Sequence, residues 1–72
     1  MNRMKIGPKI EQRRLKLNLT QRELAKLIGV TAAAISLWET GRLNPRKDRL
    51  PKIAEALGYP VRTLINSLFE ES

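Results

Sequence analysis

The sequence contains no cysteine and no histidine. Thiolates and imidazoles are the usual zinc ligands, and imidazole is the side chain best suited to proton transfer near neutral pH, so the usual zinc sites and His-based catalysis are excluded. A disulfide framework is excluded as well. Aromatic residues make up only 4% of the chain, too few for the stacking platforms that bind RNA and other single strands. The fold must therefore be stabilised by packing.

Long apolar runs are also missing. No stretch approaches the roughly 20 apolar residues that span a bilayer, and the polar start MNRMKIGPK lacks the apolar centre of a signal peptide. The carboxylates are scattered and there is no glycine-rich phosphate-binding loop, so we expect no enzymatic activity, no metal, no cofactor and no small-molecule ligand. We expect a cytoplasmic protein.

Acidic residues are half as frequent as basic ones: seven Asp and Glu stand against fourteen Lys and Arg, for a net charge of +7. Residues 1–22 contain seven of the bases, and residues 42–52 contain five against the single acid Asp48. Such a field attracts polyanions. Taken alone, however, the charge fits a well-solvated surface equally well.

The 72 residues allow one domain, with an ordered core expected from about residue 6 to residue 69. Hydrophobic residues make up 42% of the chain, which is sufficient for a globular fold. Every periodic stretch predicts helix and none predicts strand. We therefore expect an all-α fold, a compact domain of five helices.

The first helix is predicted to begin at Pro8, because a proline lacks the N–H that would be unpaired there anyway, and to extend to about Leu17. Its inner face should be formed by Ile10, Arg14 and Leu17. Thr20 and Glu23 have the spacing of a capping box, which opens a second helix, QRELAKLI. The residues predicted to be buried in this helix are Leu24, Leu27 and Ile28.

Gly29 ends the second helix, and Thr31 is placed to cap a third that continues to about Thr40. Gly41 can supply the left-handed residue that terminates it. The inner face should carry Ile35 and Trp38. The polar stretch RLNPRKD that follows has no helical period and is predicted to be a surface loop.

Asp48 is predicted to cap a fourth helix, with Pro51 tolerated in its first turn and Gly58 at its end. The helical spacing of its apolar residues defines the inner face: Leu50, Ile53, Ala54 and Leu57. A fifth helix should start after Pro60, with the same spacing in Val61, Leu64, Ile65, Leu68 and Phe69.

Two short helices joined by a glycine turn form the arrangement that lets the second helix enter a DNA major groove. The segment QRELAKLIGVTAAAISLWETG resembles the helix-turn-helix of the lambda-repressor-like (Cro/cI-type) DNA-binding domains of phage and bacterial regulators. The likeness extends from Ile6 to Leu68, nearly the whole chain. It implies five helices, a homodimer on a pseudo-palindromic operator, and transcriptional control, usually repression, in the bacterial cytoplasm or nucleoid.

The resemblance also implies roles for residues outside the third helix, which is the recognition helix of the family. Gln21 matches a glutamine that bonds a DNA phosphate, as the positive end of a helix also favours, and Arg14 and Glu39 match a partly buried ion pair of architectural role. The full set of expected phosphate contacts is Gln21, Arg22, Arg42, Asn44, Arg46 and Lys47. About six such contacts would lower affinity roughly a thousandfold between 50 and 200 mM salt.

The family reads bases from the start of the third helix, which here implies contacts from Thr31, Ala32, Ala33, Ser36 and Leu37. Three of these five side chains can neither donate nor accept a hydrogen bond, unlike the polar residues common in relatives. Apolar side chains discriminate instead by touching the thymine C5-methyl group. We therefore expect a preference for thymine-containing steps. The alternative is that Ala32 to Ala34 are plain helix formers and that Leu37 belongs to a protein interface.

Dimer contacts implied by the resemblance are Leu43, Val61, Arg62 and Leu64. The two recognition helices of such a dimer would lie ~34 Å apart, one turn of DNA, and dimerisation could depend on DNA. The alternative function is an antitoxin or another protein-interaction module with the same fold, which the apolar third helix leaves open.

Overall fold

The computed structural model describes residues 6–60 and residue 62. Within these residues the chain forms four α-helices and one 3-10 turn, and no strand. The helices are α1 (Ile6–Lys16), α2 (Gln21–Ile28), α3 (Ala32–Glu39) and α4 (Leu50–Leu57), with the 3-10 turn at Lys47–Arg49. The all-helical prediction is confirmed, whereas the predicted fifth helix, apart from Arg62, lies outside the described residues.

The first helix is displaced from its predicted position. It begins two residues before Pro8, which occupies the first turn, and it ends at Lys16. Asn18 then adopts a left-handed conformation with a φ of 60°, and Leu19 N donates to Arg14 O at 3.0 Å. This reversal carries Leu17 out of the helix, where its side chain is 42% exposed. The prediction that Leu17 belongs to the inner face is wrong.

The capping box of α2 is confirmed in both directions. Glu23 N donates to Thr20 Oγ1 at 3.0 Å, and Thr20 N donates to Glu23 Oε1 at 2.8 Å. The buried face consists of Leu24, Ala25 and Ile28. Because a helix turns about 100° per residue, a face centred on these three leaves Leu27 on the flank, 56% exposed. The prediction that Leu27 is buried is therefore wrong.

The start of α4 also differs from the prediction. Asp48 lies inside the 3-10 turn, and Arg49 is the N-cap, without a side-chain capping bond. Two features replace the expected cap: Leu50 N donates to Lys47 O within the turn, and Pro51 has no N–H that needs a partner. The inner face and the terminating glycine of α4 are as predicted.

All four described helices contribute to one core. The largest fully buried side chains are Ile6, Ile10, Leu24, Ile35, Leu50, Ile53 and Leu57. Where α1 passes the end of α3, Gly7 leaves no space for a side chain, because an added Cβ would collide with Trp38 O and lie 3.0 Å from Glu39 O. Gly7 thus allows the two backbones to approach closely, which sequence reasoning did not anticipate.

A second connection ties α1 to the end of α4. Arg13 Nε donates to Leu57 O at 2.8 Å, and its guanidinium lies 5.4 Å from the centre of the Tyr59 ring. The cation therefore satisfies a free carbonyl at the C-terminal end of a helix.

In the part of the chain that the structure describes, no helix is long and apolar enough to cross a membrane.

Candidate nucleic-acid interface

A tight turn of three residues joins α2 to α3. Gly29 has a φ of 89°, and both Gly29 N and Val30 N donate to Ala25 O, at 2.8 and 3.0 Å. Only 3% of Ala25 is exposed, so the small residue lies where the helices meet. Thr31 then caps α3 by accepting a hydrogen bond from Ala34 N at 3.1 Å. The chain thus has the helix-turn-helix geometry that the glycine spacing predicts.

The outer face of α3 is open to solvent along its first turn. Thr31, Ala32 and Ala33 are exposed, and Ser36 and Leu37 on the next turn are half-buried. The opposite face is closed, since Ile35 is fully buried and Trp38 is only 6% exposed. Four of the five predicted base-contacting residues, Ala32, Ala33, Ser36 and Leu37, thus lie on the side of α3 opposite Ile35 and Trp38, and Thr31 is the N-cap just before them. This surface is mainly apolar, with two hydroxyl groups.

The two hydroxyls differ in what they can still do. Thr31 Oγ1 accepts the capping bond, so its own O–H hydrogen remains free to donate to a base or a phosphate. Ser36 lies one turn further on, and its carbonyl accepts from Thr40 N and from Thr40 Oγ1, both at 3.0 Å. Hydrogen bonding to bases from this face is therefore restricted to two short side chains.

Arg14 and Glu39 form a buried ion pair behind α3. Arg14 Nε donates to Glu39 Oε2 at 2.6 Å and its Nη2 to Oε1 at 3.1 Å, and each residue is only 7% exposed. Hydrogen bonds to the carboxylate raise the pKa of Arg14 above its ordinary value, against the opposing effect of burial. Arg14 Nη1 also donates to Leu19 O at 2.8 Å. The pair fastens α1 to the last residue of α3.

Gln21 belongs to the same cluster, which sequence reasoning missed. Its side chain is half-buried, and Nε2 donates to Glu39 Oε1 at 2.9 Å. The two residues are 18 positions apart, so no local motif signals the contact. The neighbouring Arg22 is exposed at the start of α2.

The basic loop follows α3 directly. Arg42 N and Leu43 N both donate to Leu37 O, at 3.0 and 3.2 Å, so the beginning of the loop is tied to α3. Pro45 is buried and anchors its middle. The side chains predicted to contact phosphates are all exposed here: Arg42, Asn44, Arg46 and Lys47.

The predicted dimer residues are only partly covered by the structure. Leu43 is 55% exposed and Arg62 is exposed. Val61 and Leu64 lie outside the described residues.

The charges around α3 are strongly one-sided. Between residues 20 and 47 the acids are Glu23 and Glu39, against five bases. Glu23 bonds the backbone of its capping box and Glu39 is neutralised by Arg14. The positive field beside α3 therefore has little to offset it, which suits a polyanionic partner.

Comparison with known proteins places this geometry in context. The helix-turn-helix family model matches residues 10–64. Repressor protein C2 of Salmonella phage P22 is 39% identical over 57 residues, which cover 79% of this chain and 26% of that protein. A transcriptional regulator in the ATPase CF(0) region of Rhodospirillum rubrum is 38% identical over 63 residues, covering 88% of this chain and 58% of the regulator. The chain thus spans between a quarter and three-fifths of the length of these relatives.

The fold is also similar to that of a solved repressor structure. The crystal structure of the P22 c2 repressor protein in complex with the synthetic operator 9T superimposes with a TM-score of 0.83 at 32% sequence identity, covering 90% of this chain and 98% of the other. The family match, the shared identity and the superposition agree with the glycine turn and the exposed face of α3. This chain belongs to the helix-turn-helix family.

Proposed function

We propose that this chain is a sequence-specific DNA-binding transcriptional regulator that represses by occupying a pseudo-palindromic operator as a homodimer. The observation that carries the proposal is the solvent-open outer face of α3 beside a basic loop tied to the same helix. The c2 repressor among the relatives supports it, because that protein was crystallised with an operator. A helix of eight residues with small outer side chains fits the width of the major groove.

Base reading falls to the outer face of α3. Ala32, Ala33 and Leu37 would contact C5-methyl groups, and Thr31 and Ser36 would donate to base edges or phosphates. The side-chain volume of two alanines is small, so the helix axis can approach the groove floor closely. The operator should therefore contain thymines opposite the first turn of α3.

Affinity would come chiefly from the phosphates. Gln21, Asn44 and the cations Arg22, Arg42, Arg46 and Lys47 would contact the backbone on both sides of the groove. Four cations correspond to a slope of about −3.6 in log affinity against log salt, or roughly a hundredfold loss per protomer between 50 and 200 mM. A two-fold dimer, with contacts from Leu43, Val61, Arg62 and Leu64, would double this slope and place its helices ~34 Å apart.

The test is selection of binding sites from random duplex DNA, followed by titration of the selected duplex. A two-fold symmetric, thymine-containing motif with steep salt dependence is expected. Replacing thymine by uracil removes only the methyl group. The loss of each contacted methyl should therefore lower the affinity several-fold. Equal, weak binding to every duplex would refute sequence-specific regulation.

A second candidate is a protein-interaction module, such as an antitoxin. The observation that favours it is a set of exposed leucines that are not among the proposed DNA contacts: Leu15, Leu17 and Leu27 are each between 42% and 56% exposed. Leu15→Ser and Leu27→Ser should leave DNA binding unchanged if the first proposal is right. If instead the wild-type protein selects no duplex while these two variants abolish capture of a partner protein, the second function holds.

A further inference from the structure

The side chains of Arg14, Gln21 and Glu39 form one hydrogen-bonded cluster that joins the start of α2 to the end of α3. Gln21 is the first residue of α2, and Glu39 is the last residue of α3. We propose that Glu39 is a positioning residue for DNA binding: its carboxylate holds the Gln21 amide in one orientation, with a single N–H left for a DNA phosphate. This inference rests on the proposed function.

The orientation follows from the chemistry of the two groups. A carboxylate can only accept hydrogen bonds, so it must face the amide nitrogen of Gln21 and not the amide oxygen. Nε2 donates one hydrogen to Glu39 Oε1 at 2.9 Å and carries a second one. Because Gln21 is only half-buried, that second hydrogen can reach an acceptor outside the protein. The flipped amide would place oxygen against oxygen and is excluded before DNA arrives.

Arg14 makes this arrangement compatible with a phosphate. An unpaired carboxylate behind the amide would repel the approaching anion. Arg14 bonds both carboxylate oxygens, at 2.6 and 3.1 Å, and cancels the charge. Its Nη1 is held by Leu19 O at 2.8 Å, just before α2 begins. Arg14 therefore supplies charge balance, and Glu39 supplies the acceptor.

The cluster also fixes a distance that matters for recognition. The side chains of Gln21 and Glu39 would hold a phosphate bound at the start of α2 at a fixed distance from the C-terminal end of α3. Phosphate contacts set the position of a protein on the duplex, whereas the groove-facing residues read the bases. Glu39 would thus couple the backbone anchor to the recognition helix without touching DNA.

Two matched double variants separate the acceptor from the ion pair. Arg14→Met with Glu39→Leu removes both, whereas Arg14→Met with Glu39→Gln removes the ion pair but keeps an amide oxygen that accepts from Gln21. Apolar replacement of a buried ion pair is often neutral for stability, and denaturation of each variant verifies its folding. The affinity of each background for the duplex selected by the wild-type protein is then measured with and without Gln21→Ala.

We expect Gln21→Ala to lower affinity about tenfold in the wild-type background. The background with Glu39→Leu should already have lost a similar factor, and Gln21→Ala should then add less than twofold. The background with Glu39→Gln should recover most of the affinity and restore the effect of Gln21→Ala. Equal effects of Gln21→Ala in the wild-type protein and in the Glu39→Leu background would overturn the inference. A wild-type protein that selects no duplex would instead refute the proposed function.

A spectroscopic measurement on the wild-type protein keeps the test decisive if the double variant with Glu39→Leu does not fold. Every glutamine side-chain amide gives two resonances because its C–N bond rotates slowly, so the informative quantity is the position of each one. In the free protein the Gln21 hydrogen that bonds Glu39 should lie downfield of the corresponding hydrogen of the exposed Gln12, and addition of the selected duplex should shift the other Gln21 hydrogen. Gln21 resonances at the positions of those of Gln12 in the free protein, or no shift on binding, would overturn the inference.

Discussion

Replacing Gly7 by alanine should destabilise the domain, although alanine is the better helix former. An added Cβ would collide with Trp38 O and approach Glu39 O to 3.0 Å. Both atoms belong to the backbone of α3, so no side chain can turn away to make room, and α1 must move. Overpacking of this kind typically costs about 1–3 kcal/mol, and a backbone collision belongs at the upper end, ~3 kcal/mol.

The helix propensity of alanine offsets about 1 kcal/mol of this cost. The net loss in the free energy of unfolding is therefore about 2 kcal/mol, which lowers the Tm of a domain of this size by roughly 8–16 °C. Thermal and urea unfolding measure both quantities. Gln12→Ala, an exposed position on the same helix, is the matched control and should change the free energy by less than about 0.5 kcal/mol.

A Gly7→Ala protein as stable as the wild type would refute the close approach of α1 and α3. The same measurement bears on function, because the contact lies beside the residue that anchors Gln21. If the variant remains folded, its affinity for the selected duplex should fall, whereas that of Gln12→Ala should not.

Three further predictions concern single positions. Asn18→Gly should raise the free energy of unfolding by about 0.5 kcal/mol, because Asn18 has a φ of 60°; a loss of more than about 1 kcal/mol in urea unfolding would contradict this. Arg46→Ala should reduce the slope of log affinity against log salt by about 0.9. Gln21→Ala removes no charge and should lower the affinity without changing that slope. Lys52→Ala, which is not a proposed phosphate contact, is the control. Arg14→Met alone should cost about 3–5 kcal/mol by leaving Glu39 buried without its cation, a loss that adding Glu39→Leu should largely reverse in the same unfolding assay.

Features that depend on neighbouring residues could be predicted from the sequence. The capping box at Thr20 and the left-handed glycines after α2, α3 and α4 follow from local backbone chemistry. The inner face of α4 followed from spacing, because every apolar residue on it is part of the same stripe. The start of that helix did not, since a 3-10 turn and a proline replaced the cap expected from Asp48.

The candidate site likewise has one feature that could be predicted from the sequence and one that could not. The exposed first turn of α3 follows from the turn at Gly29 and the buried pair Ile35 and Trp38. The hydrogen bond from Gln21 to Glu39 could not be foreseen, because it joins the far ends of two helices whose relative position is set by packing.

What this sequence determines by itself is where most of the described helices cap and stop and which residue types surround α3, because these properties arise within a few residues of chain. Only the tertiary structure decided which flank of α2 faces water, why Gly7 must lack a side chain, and how Arg13 reaches the end of α4, 44 positions away. Those outcomes depend on the distance and angle between helices, which many distant contacts determine together. The buried cluster behind α3 belongs to this second group, since its members meet only after the helices have packed.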